Sequence, residues 1–404
     1  MPTEENHRYS PWILAKPDRE WILAKGATIY LTSGDYGIWD QANHSRIHVL
    51  GNIAARDNAL SGIVLGSPSA SVTIGAQSWI TGFDNGIETR FSGATLNNQG
   101  YANCHQYGAT GAFSTVVNTG SLIGSLDGLK LTDGAFTVRN SGRIEGNDDA
   151  ITVTGGGRID NREGGVLTSG NLAIRLEGDE LTTLTNEGII RGYVAAIASS
   201  ADAPLTLINR GLIIGDLFLG TENDRIDTRG GSVKGVIHGG EGDDTYLISD
   251  TATRIDDNGA SIFDTVRSTA SYTLVGGLDD LYLLGTKNID ATGNVGSNNL
   301  SGNRGQNTLS GMDGADVLNG GGGRDLLNGG NDRDTFIFEK GNGIDRIVDF
   351  TTDEFISSEW VTSQRQFDRL DIRQVGDDVL IDFGHGDRLW LDDFERGNLS
   401  YGMF

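Results

Sequence analysis

A repeat of nine residues limits what the second half of this chain can fold into. From Thr292, five nonapeptides follow one another without insertion: TGNVGSNNL, SGNRGQNTL, SGMDGADVL, NGGGGRDLL and NGGNDRDTF. So short a period, with glycine-rich turns between apolar positions, predicts short strands that stack as a solenoid in which each coil contacts its neighbours.

Each position of the nonapeptide has its own chemistry. Glycine holds the second position, at Gly293, Gly302, Gly311, Gly320 and Gly329. It also holds the fifth position in the first four units, at Gly296, Gly305, Gly314 and Gly323. A turn with positive φ would tolerate little else at these places. The seventh position is an amide or an acid, at Asn298, Asn307, Asp316, Asp325 and Asp334. The ninth is apolar, at Leu300, Leu309, Leu318, Leu327 and Phe336.

Stacking would bring the acidic positions together. A unit of turn plus short strand lies against its next-but-one neighbour, so equivalent residues stack about 4.8 Å apart. Asp316 is then expected near Asp334 on one edge, and Asn307 near Asp325 on the other. Repulsion between acids is unfavourable there unless a hard cation lies between them, and flexible turns rich in carbonyl oxygens suit Ca²⁺ better than the strict octahedron of Mg²⁺.

The five units resemble the RTX, or haemolysin-type, calcium-binding repeat GGxGxDxUx, and this resemblance implies a parallel β-roll of a secreted bacterial protein. GGEGDDTYL, from Gly239, matches the same pattern with Asp244 as a ligand, and Asp224 is its predicted partner. Because the first two units carry asparagine at the seventh position, the site of Asn298 and Asp316 is predicted to be weaker than the site of Asp316 and Asp334.

The predicted calcium ligands are side-chain oxygens of the acidic positions together with oxygens of the turns. They are Asp224, Gly239, Glu241, Asp244, Asn298, Asn307, Gly311, Asp313, Asp316, Gly320, Gly322, Asp325, Gly329, Asn331 and Asp334.

The amino-terminal half carries a longer repeat marked by asparagine. NTGSLIG begins at Asn118, NSGRIEG at Asn140, NEGIIRG at Asn186 and NRGLIIG at Asn209, with a looser copy at Asn161. Short apolar segments follow each copy, which predicts one solenoid coil per repeat. Asparagines at one turn position can stack into a hydrogen-bonded ladder without any ligand. This half resembles the β-helical passengers of bacterial surface proteins.

The predicted fold class is all-β, a parallel β-helix or β-solenoid followed by a calcium-binding parallel β-roll. Residues 1–27, with a duplicated WILAK, are predicted to form an amino-terminal cap, and residues 28–216 the solenoid of 20–25-residue coils. Residues 217–290 are predicted to be a degenerate RTX block with a strand-rich spacer, and residues 291–338 the β-roll. Residues 339–404 resemble the end of RTX proteins exported by type I machinery, which implies a carboxyl-terminal cap and export signal.

Composition and charge point to cations as partners. The chain has 60 glycines, 5 prolines and a formal charge of -24, which disfavours binding to nucleic acid. No apolar run predicts membrane insertion, and the start MPTEENHRYS lacks the pattern of a cleavable signal peptide. The single Cys104 excludes an internal disulfide, so calcium is the expected staple of an exported chain.

Motifs of catalysis are scarce in the sequence. It contains no HExxH, no GxSxG, no phosphate loop and no dinucleotide fingerprint. YANCHQYG interrupts the repeats as a predicted surface loop, and it offers Tyr101, His105 and Tyr107, residue types that β-helical polysaccharide lyases and epimerases use for proton transfer. The favoured function is a secreted calcium-binding adhesin or structural protein that meets extracellular polysaccharide or the cell surface. The alternative is a polysaccharide lyase or epimerase with an RTX module.

Overall fold

Short parallel strands make up most of the regular structure in both units of the chain, residues 1–240 and residues 241–404. The computed structural model describes residues 3–4, 8–17, 19–32, 35–132, 134–199, 203–257 and 263–404. Residues 1–2, 5–7 and 18 of the predicted amino-terminal cap lie outside these ranges, as do residues 258–262 of the predicted spacer.

The amino-terminal unit has three faces, each a ladder of parallel strands. The first face consists of Thr3–Glu4, Glu20–Leu23, Arg46–Val49, Ser71–Ile74, the last parts of Trp79–Asn98 and Tyr107–Asn118, Phe136–Asn140, Gly157–Asn161, Thr182–Asn186, Leu205–Asn209 and Arg225–Asp227. The second face consists of Thr28–Leu31, the first parts of Asn52–Leu65 and Trp79–Asn98, Tyr101–Cys104, Ser121–Gly124, Arg143–Gly146, Val166–Ser169, the first parts of Ile189–Ser199 and Leu212–Gly220, and Ser232–Lys234.

The third face closes each coil of this unit. It consists of Trp12–Leu14, Tyr36–Asp40, the last part of Asn52–Leu65, the middle of Trp79–Asn98, the first part of Tyr107–Asn118, Leu129–Leu131, Asp149–Val153, Leu172–Leu176, the last parts of Ile189–Ser199 and Leu212–Gly220, and Val236–Gly240. The pairings on all three faces are parallel, which confirms the predicted β-solenoid.

Alternation along the strands supplies the core of the solenoid. On the first face the same inward position is apolar in successive coils and at most 1% exposed, at Val72, Leu96, Val116, Val138, Ile159, Leu184 and Leu207. Because each strand contributes only a few inward residues, no coil can bury an adequate core by itself, and stability comes from stacking.

A ladder of buried asparagines runs along the end of the first face. The side-chain Nδ2 of each asparagine donates to Oδ1 of the next at 2.7 or 2.8 Å, through Asn98, Asn118, Asn140, Asn161, Asn186 and Asn209. All of these side chains are fully buried. The predicted ladder is confirmed, and the looser copy at Asn161 belongs to it. Asn98, in the weak repeat LNNQG, extends it by one coil.

Two irregular segments of the sequence form ordinary coils. Both copies of WILAK contribute strands that pair in parallel with the following coil, and the rings of Trp12 and Trp21 pack edge to face with centroids 5.9 Å apart. The prediction that YANCHQYG is a surface loop is wrong, because Tyr101–Cys104 pairs with strands on both sides. Its small residues Ala102 and Cys104 are buried, so the segment alternates like its neighbours.

The carboxyl-terminal unit is a roll of two parallel sheets. The first sheet of the roll consists of Thr245–Ile248, Thr265–Ser268, Asp280–Leu283, Asn299–Ser301, Val317–Asn319, Thr335–Ile337 and Phe355–Ser357. The second sheet consists of Tyr272–Thr273, Ala291–Thr292, Thr308–Asp313, Leu326–Asn331, Ile344–Ile347 and Asp387–Leu391. Arg254–Asp256 is a further strand of this unit.

The stacking period of the roll agrees with the nonapeptide. Leu300 is the register partner of Leu318, and Leu318 that of Phe336, while Leu309 is the partner of Leu327. These side chains are at most 1% exposed. Each nonapeptide therefore adds one strand to alternate sheets and one apolar side chain to the core.

An antiparallel hairpin ends the second sheet. Asp378–Gly384 pairs in antiparallel fashion with both Asp387–Leu391 and Asp371–Val375. A short α-helix spans Gln364–Phe367, and 3-10 turns span Arg396–Asn398 and Tyr401–Met403. None of the helices in the described ranges has the length and apolar character that a membrane crossing requires.

The asparagine ladder predicts a specific stability loss. Asn118→Ala removes an acceptor for Asn98 and a donor to Asn140, and leaving buried amides unsatisfied costs about 1–3 kcal/mol for each group. We expect a lower urea midpoint in excess calcium, followed by circular dichroism. Asn97→Ala, one residue before the ladder on the partly exposed side of its strand, is the control, and an equal shift in both variants would contradict the ladder's role.

Candidate metal centre

The acidic residues of the repeat lie at the edges of the two sheets of the roll. Asp316 and Asp334 directly precede strands of the first sheet, and Asp325 directly precedes a strand of the second. Their exposed fractions are 1%, 0% and 3%. The turn thus delivers each carboxylate into the interior edge of the roll, where water cannot solvate its charge.

One oxygen of each carboxylate is held by the backbone of the preceding coil. The backbone N–H of Asn298 donates to Oδ1 of Asp316 at 2.7 Å, and that of Asp316 donates to Oδ1 of Asp334 at 2.8 Å. On the other edge, the N–H of Asn307 donates to Oδ1 of Asp325 at 2.8 Å. The predicted spacing of 18 residues is therefore present along both edges.

The second oxygen of each carboxylate has no protein partner. Oδ2 of Asp316, Asp325 and Asp334 is buried and accepts no hydrogen bond in the described part of the chain. Buried polar atoms are nearly always satisfied, and an orphaned carboxylate oxygen is costly. Oxygen-rich turns with uncompensated negative charge are the surroundings that Ca²⁺ requires, so these residues fit the ion that the sequence predicts.

The second-position glycines leave the space that the carboxylates occupy. A Cβ added to Gly311 would overlap Oδ2 of Asp316 and the carbonyl oxygen of Gly329. A Cβ on Gly329 would overlap Oδ2 of Asp334, and one on Gly320 would lie 2.7 Å from Oδ2 of Asp325. Each carboxylate therefore folds back over the glycine of its own turn, and at Gly311 the carbonyl oxygen of Gly329 lies beside it.

The predicted reason for the glycines is only partly right. Backbone with positive φ occurs at the fifth position in Gly314, Gly323 and Asp332, but not in Gly296 or Gly305. It also occurs at the third position, in Met312, Gly321 and Gly330. The second-position glycines have no positive φ and are required for space alone.

The two asparagine turns close through their own amides. Oδ1 of Asn298 accepts the backbone N–H of Asn294 at 2.7 Å, and its Nδ2 donates to the carbonyl of Leu278 at 3.2 Å. Asn307 has the same arrangement, with the N–H of Asn303 at 2.8 Å and the carbonyl of Ile289 at 2.5 Å. In both turns the side-chain Nδ2–H donates to a backbone carbonyl oxygen. A carboxylate in the same place has no hydrogen to donate and would need a cation instead. The predicted weakness of the Asn298 and Asp316 site stays a prediction.

Other predicted ligands lie on the surface of these turns. Asp313 and Asn331 are exposed, and Nδ2 of Asn331 donates to Oδ1 of Asp313 at 2.6 Å. Gly322 is half-buried, and the nearest atom to an added Cβ there is the carbonyl oxygen of Gly341, at 3.3 Å. The roles of these three residues as ligands stay predictions.

The sequence analysis missed Asp345, which continues the second edge. The N–H of Asp325 donates to Oδ1 of Asp345 at 3.0 Å, and Oδ2 of Asp345 is buried without a partner. The signal was present, since GNGIDRI at 341–347 repeats the pattern of glycine, glycine, acid and apolar residue after a two-residue insertion. Asp387 of the terminal hairpin then accepts the N–H groups of Gly341 and Gly343.

The first edge also ends on an acid outside the five nonapeptides. Glu354 precedes the strand Phe355–Ser357 as Asp334 precedes its own strand, and it is 2% exposed. Burial raises the pKa of Glu354 to about 7, and the nearby charges of Asp349 and Asp334 act in the same direction. Both edges of the roll therefore continue past the repeat.

A second acidic cluster surrounds Asp244. Carboxylate oxygens of Asp244, Asp257 and Asp264 lie within 4.8 Å of one another, and all three residues are buried. The N–H of Asp244 donates to Oδ1 of Asp264, and the Tyr246 hydroxyl lies 2.5 Å from Oδ2 of Asp257. Tyr246, which stands at the apolar position of GGEGDDTYL, is fully buried but uses its hydroxyl here. Asp264 was missed, although FDTV repeats the acid-x-apolar spacing.

The remaining predicted ligands lie upstream of this cluster. Asp224 is 3% exposed, and its Oδ1 accepts the N–H of Leu205 at 2.5 Å. Gly239 is a buried residue of the strand Val236–Gly240, and Glu241 is exposed. The pairing of Asp224 with Asp244 stays a prediction.

Burial and mutual repulsion raise the pKa of the acids in the roll. Burial raises the pKa of Asp316 to about 7 and that of Asp334 to about 6. It raises the pKa of Asp325 and Asp345 as well, and the charge of Asp325 adds to the increase at Asp345. The cause is the same for all four, because a charge removed from water is unfavourable until a cation replaces the water.

Two of the candidate catalytic residues lie on different faces of the solenoid. Tyr101 lies on the second face of the solenoid and Tyr107 on the third, where the Nζ of Lys130 lies 5.5 Å from its ring centroid. Cys104 is buried, and burial raises the pKa of its thiol to about 12, which suppresses thiolate chemistry.

The space that the second-position glycines leave for the carboxylates predicts a loss of calcium affinity when such a glycine is replaced. Gly311→Ala places a methyl group where Oδ2 of Asp316 lies, so we expect calcium affinity to fall at least tenfold, about 1.4 kcal/mol, in isothermal titration calorimetry. Gly276→Ala is the control, because nothing lies within 4 Å of an added Cβ and its backbone has no positive φ. Equal calcium affinities in the two variants would contradict the role of Gly311 in leaving space for Oδ2 of Asp316.

The raised pKa values predict how pH acts on the metal-free roll. An acid with a raised pKa in the folded state binds more protons folded than unfolded, so stability falls as pH rises from about 4 to about 7. We expect the protein in excess chelator to have a higher urea midpoint at pH 5 than at pH 8. Combining Asp316→Asn with Asp334→Asn should reduce this difference. A midpoint that rises with pH would contradict the prediction.

The comparisons with known proteins agree with this geometry. The family of the RTX calcium-binding nonapeptide repeat matches residues 236–247, 292–327 and 311–345. The last match reaches Asp345, which lies beyond the five nonapeptides that begin at Thr292. No curated protein sequence matches the chain. The repeat implies binding of Ca²⁺, and with the parallel ladders of both units it identifies the chain as an RTX-repeat protein built on a β-solenoid.

Proposed function

We propose that this protein is a secreted calcium-binding solenoid that completes its folding outside the cell and acts at the cell surface or in the matrix as an adhesin or structural component. The observation that supports the proposal is the set of buried carboxylate oxygens without hydrogen-bond partners, at Asp316, Asp325, Asp334 and Asp345. Without a cation these buried carboxylates destabilise the folded roll, and with a bound cation they would hold its coils together.

Calcium would act as a folding switch because the unfolded chain has no preformed site. If each site has a Kd of about 0.1 mM, about 2 mM extracellular calcium adds roughly 1.8 kcal/mol of stability per site. Several such sites together reach the net stability of an ordinary domain. At the far lower calcium level of a cytoplasm this contribution is negligible, so the chain would stay open for transport.

The place of action is inferred from the repeat and the charge. RTX repeats are typical of secreted bacterial proteins, and we propose that residues 339–404 carry the signal for type I export machinery. The chain's formal charge of -24 opposes its own compaction and is offset when calcium binds. The amino-terminal solenoid would then present its long faces to a surface or to extracellular polysaccharide.

The alternative function is a polysaccharide lyase or epimerase. The separation of Tyr101 from Tyr107 on two faces weighs against a catalytic centre in YANCHQYG. Incubation of the calcium-loaded protein with alginate and pectin separates the two functions, because an unsaturated or epimerised product requires the enzyme.

A charge-matched pair of double variants tests the calcium-dependent folding. Asp316→Ala with Asp325→Ala removes one acid from each edge of the roll, so we expect most of the calcium-induced gain in β signal by circular dichroism to disappear. Asp179→Ala with Asp377→Ala removes the same charge from exposed positions and should leave the titration unchanged. The proposal is wrong if the roll sites of the first variant still titrate normally, or if the parent chain is equally ordered in chelator.

A further inference from the structure

An uncharged, aromatic surface covers the second face of the solenoid in its early coils. The strands there begin with the segments TIYL at 28–31, NIAA at 52–55, WIT at 79–81 and YANC at 101–104. None of these segments contains a charged residue, although the chain carries 55 acidic and 31 basic residues. Four successive rungs of this surface therefore carry no charge in these segments.

Two large aromatic residues lie on neighbouring rungs of this surface. Trp79 is the register partner of Tyr101, and the two side chains are 36% and 41% exposed. Parallel strands lie about 4.8 Å apart, so the two side chains occupy adjacent positions along the solenoid. Tyr30, also 36% exposed, lies on the same face two rungs before Trp79.

Polar groups without charge flank the two rings. Nδ2 of Asn103 donates to the hydroxyl oxygen of Tyr101 at 2.9 Å, and Asn103 is the register partner of Thr81. The backbone N–H of Trp79 donates to Oδ1 of Asn52 at 3.3 Å. We call Asn52, Trp79, Thr81, Tyr101 and Asn103 the aromatic platform.

A shallow cavity borders the platform at the turn before the second face. Its volume is about 410 Å³, and it is lined by Ala76, Gln77, Ser78, Trp79, Thr81 and Tyr101. Its polar lining consists of amide and hydroxyl groups. It therefore offers hydrogen-bond donors and acceptors beside an apolar wall, with no fixed charge to be compensated.

We infer that the aromatic platform binds an uncharged polysaccharide. A sugar ring has C–H groups on its faces, which pack on an aromatic ring, and hydroxyl groups on its edges, which bond to amides and hydroxyls such as those of Asn103 and Thr81. An acidic polyuronate would meet a protein of charge -24 without a basic side chain on the platform, so repulsion disfavours it.

The geometry also disfavours a protein partner on this surface. A large contiguous apolar patch would mark a protein interface, whereas the polar residues Asn52, Thr81 and Asn103 lie beside the two rings on this surface. The inference deepens the proposed surface or matrix role, because it rests on extracellular placement and names the chemistry that this part of the chain recognises.

The test is affinity electrophoresis of the full-length protein in excess calcium. Gels contain laminarin or dextran as neutral probes and alginate as the acidic probe. We expect a neutral gel to retard the parent chain, and Trp79→Ala with Tyr101→Ala to weaken retardation at least tenfold. Tyr193→Ala removes another exposed aromatic of the same solenoid and should behave like the parent. The calcium titration by circular dichroism should be unchanged in all three proteins.

The inference is overturned by retardation by alginate alone, by failure of every neutral probe, or by equal retardation of the parent and the platform variant. A change of oligomeric state in the platform variant, measured by sedimentation, would likewise assign the surface to a second copy of the chain. Because the calcium titration is read separately, loss of the folding switch can be told apart from loss of sugar binding.

Discussion

Parallel stacking places strand residues against their counterparts in the next coil, and the chemistry of the two ladders of the chain, amide and acid, follows from that constraint. A leucine meets a leucine, as Leu300 meets Leu318, and burial makes the contact favourable without further conditions. An asparagine meets an asparagine, and the amide is both donor and acceptor, so Asn118 and Asn140 bond directly. An aspartate meets an aspartate, and two carboxylates have nothing to donate.

The roll resolves the meeting of acids in two ways. In the asparagine turns, the amide of Asn298 or Asn307 closes its own turn and bonds to the preceding coil, so no ion is needed. In the aspartate turns, one oxygen takes a backbone N–H while the other, as in Asp316, stays buried without a partner. An amide at this position therefore gives a turn whose hydrogen bonds are complete, whereas an acid leaves one buried oxygen that a cation would satisfy. Both kinds of turn occur in the same roll.

The same constraint separates the tasks of the two units. The amino-terminal solenoid is held by an apolar column and an asparagine ladder, neither of which involves a charge. The roll concentrates buried acids along its edges. A chain built this way can keep recognition surfaces, such as the rings of Trp79 and Tyr101, on a unit held by apolar packing and an asparagine ladder, while buried acids line the edges of the other.

The sequence by itself determined the parallel solenoid, the nine-residue stacking of the roll, the asparagine ladder and the class of ion. Each of these depends on a repeat of constant length, which places equivalent residues next to each other in successive coils. It could not determine features that break the period. Asp345 follows a two-residue insertion, and Asp387 reaches the same edge from a distant hairpin. YANCHQYG has no repeat signature, yet the buried Ala102 and Cys104 make it a regular coil. Only the tertiary structure decided these, because which oxygens remain unsatisfied depends on neighbours that are close in space and remote along the chain.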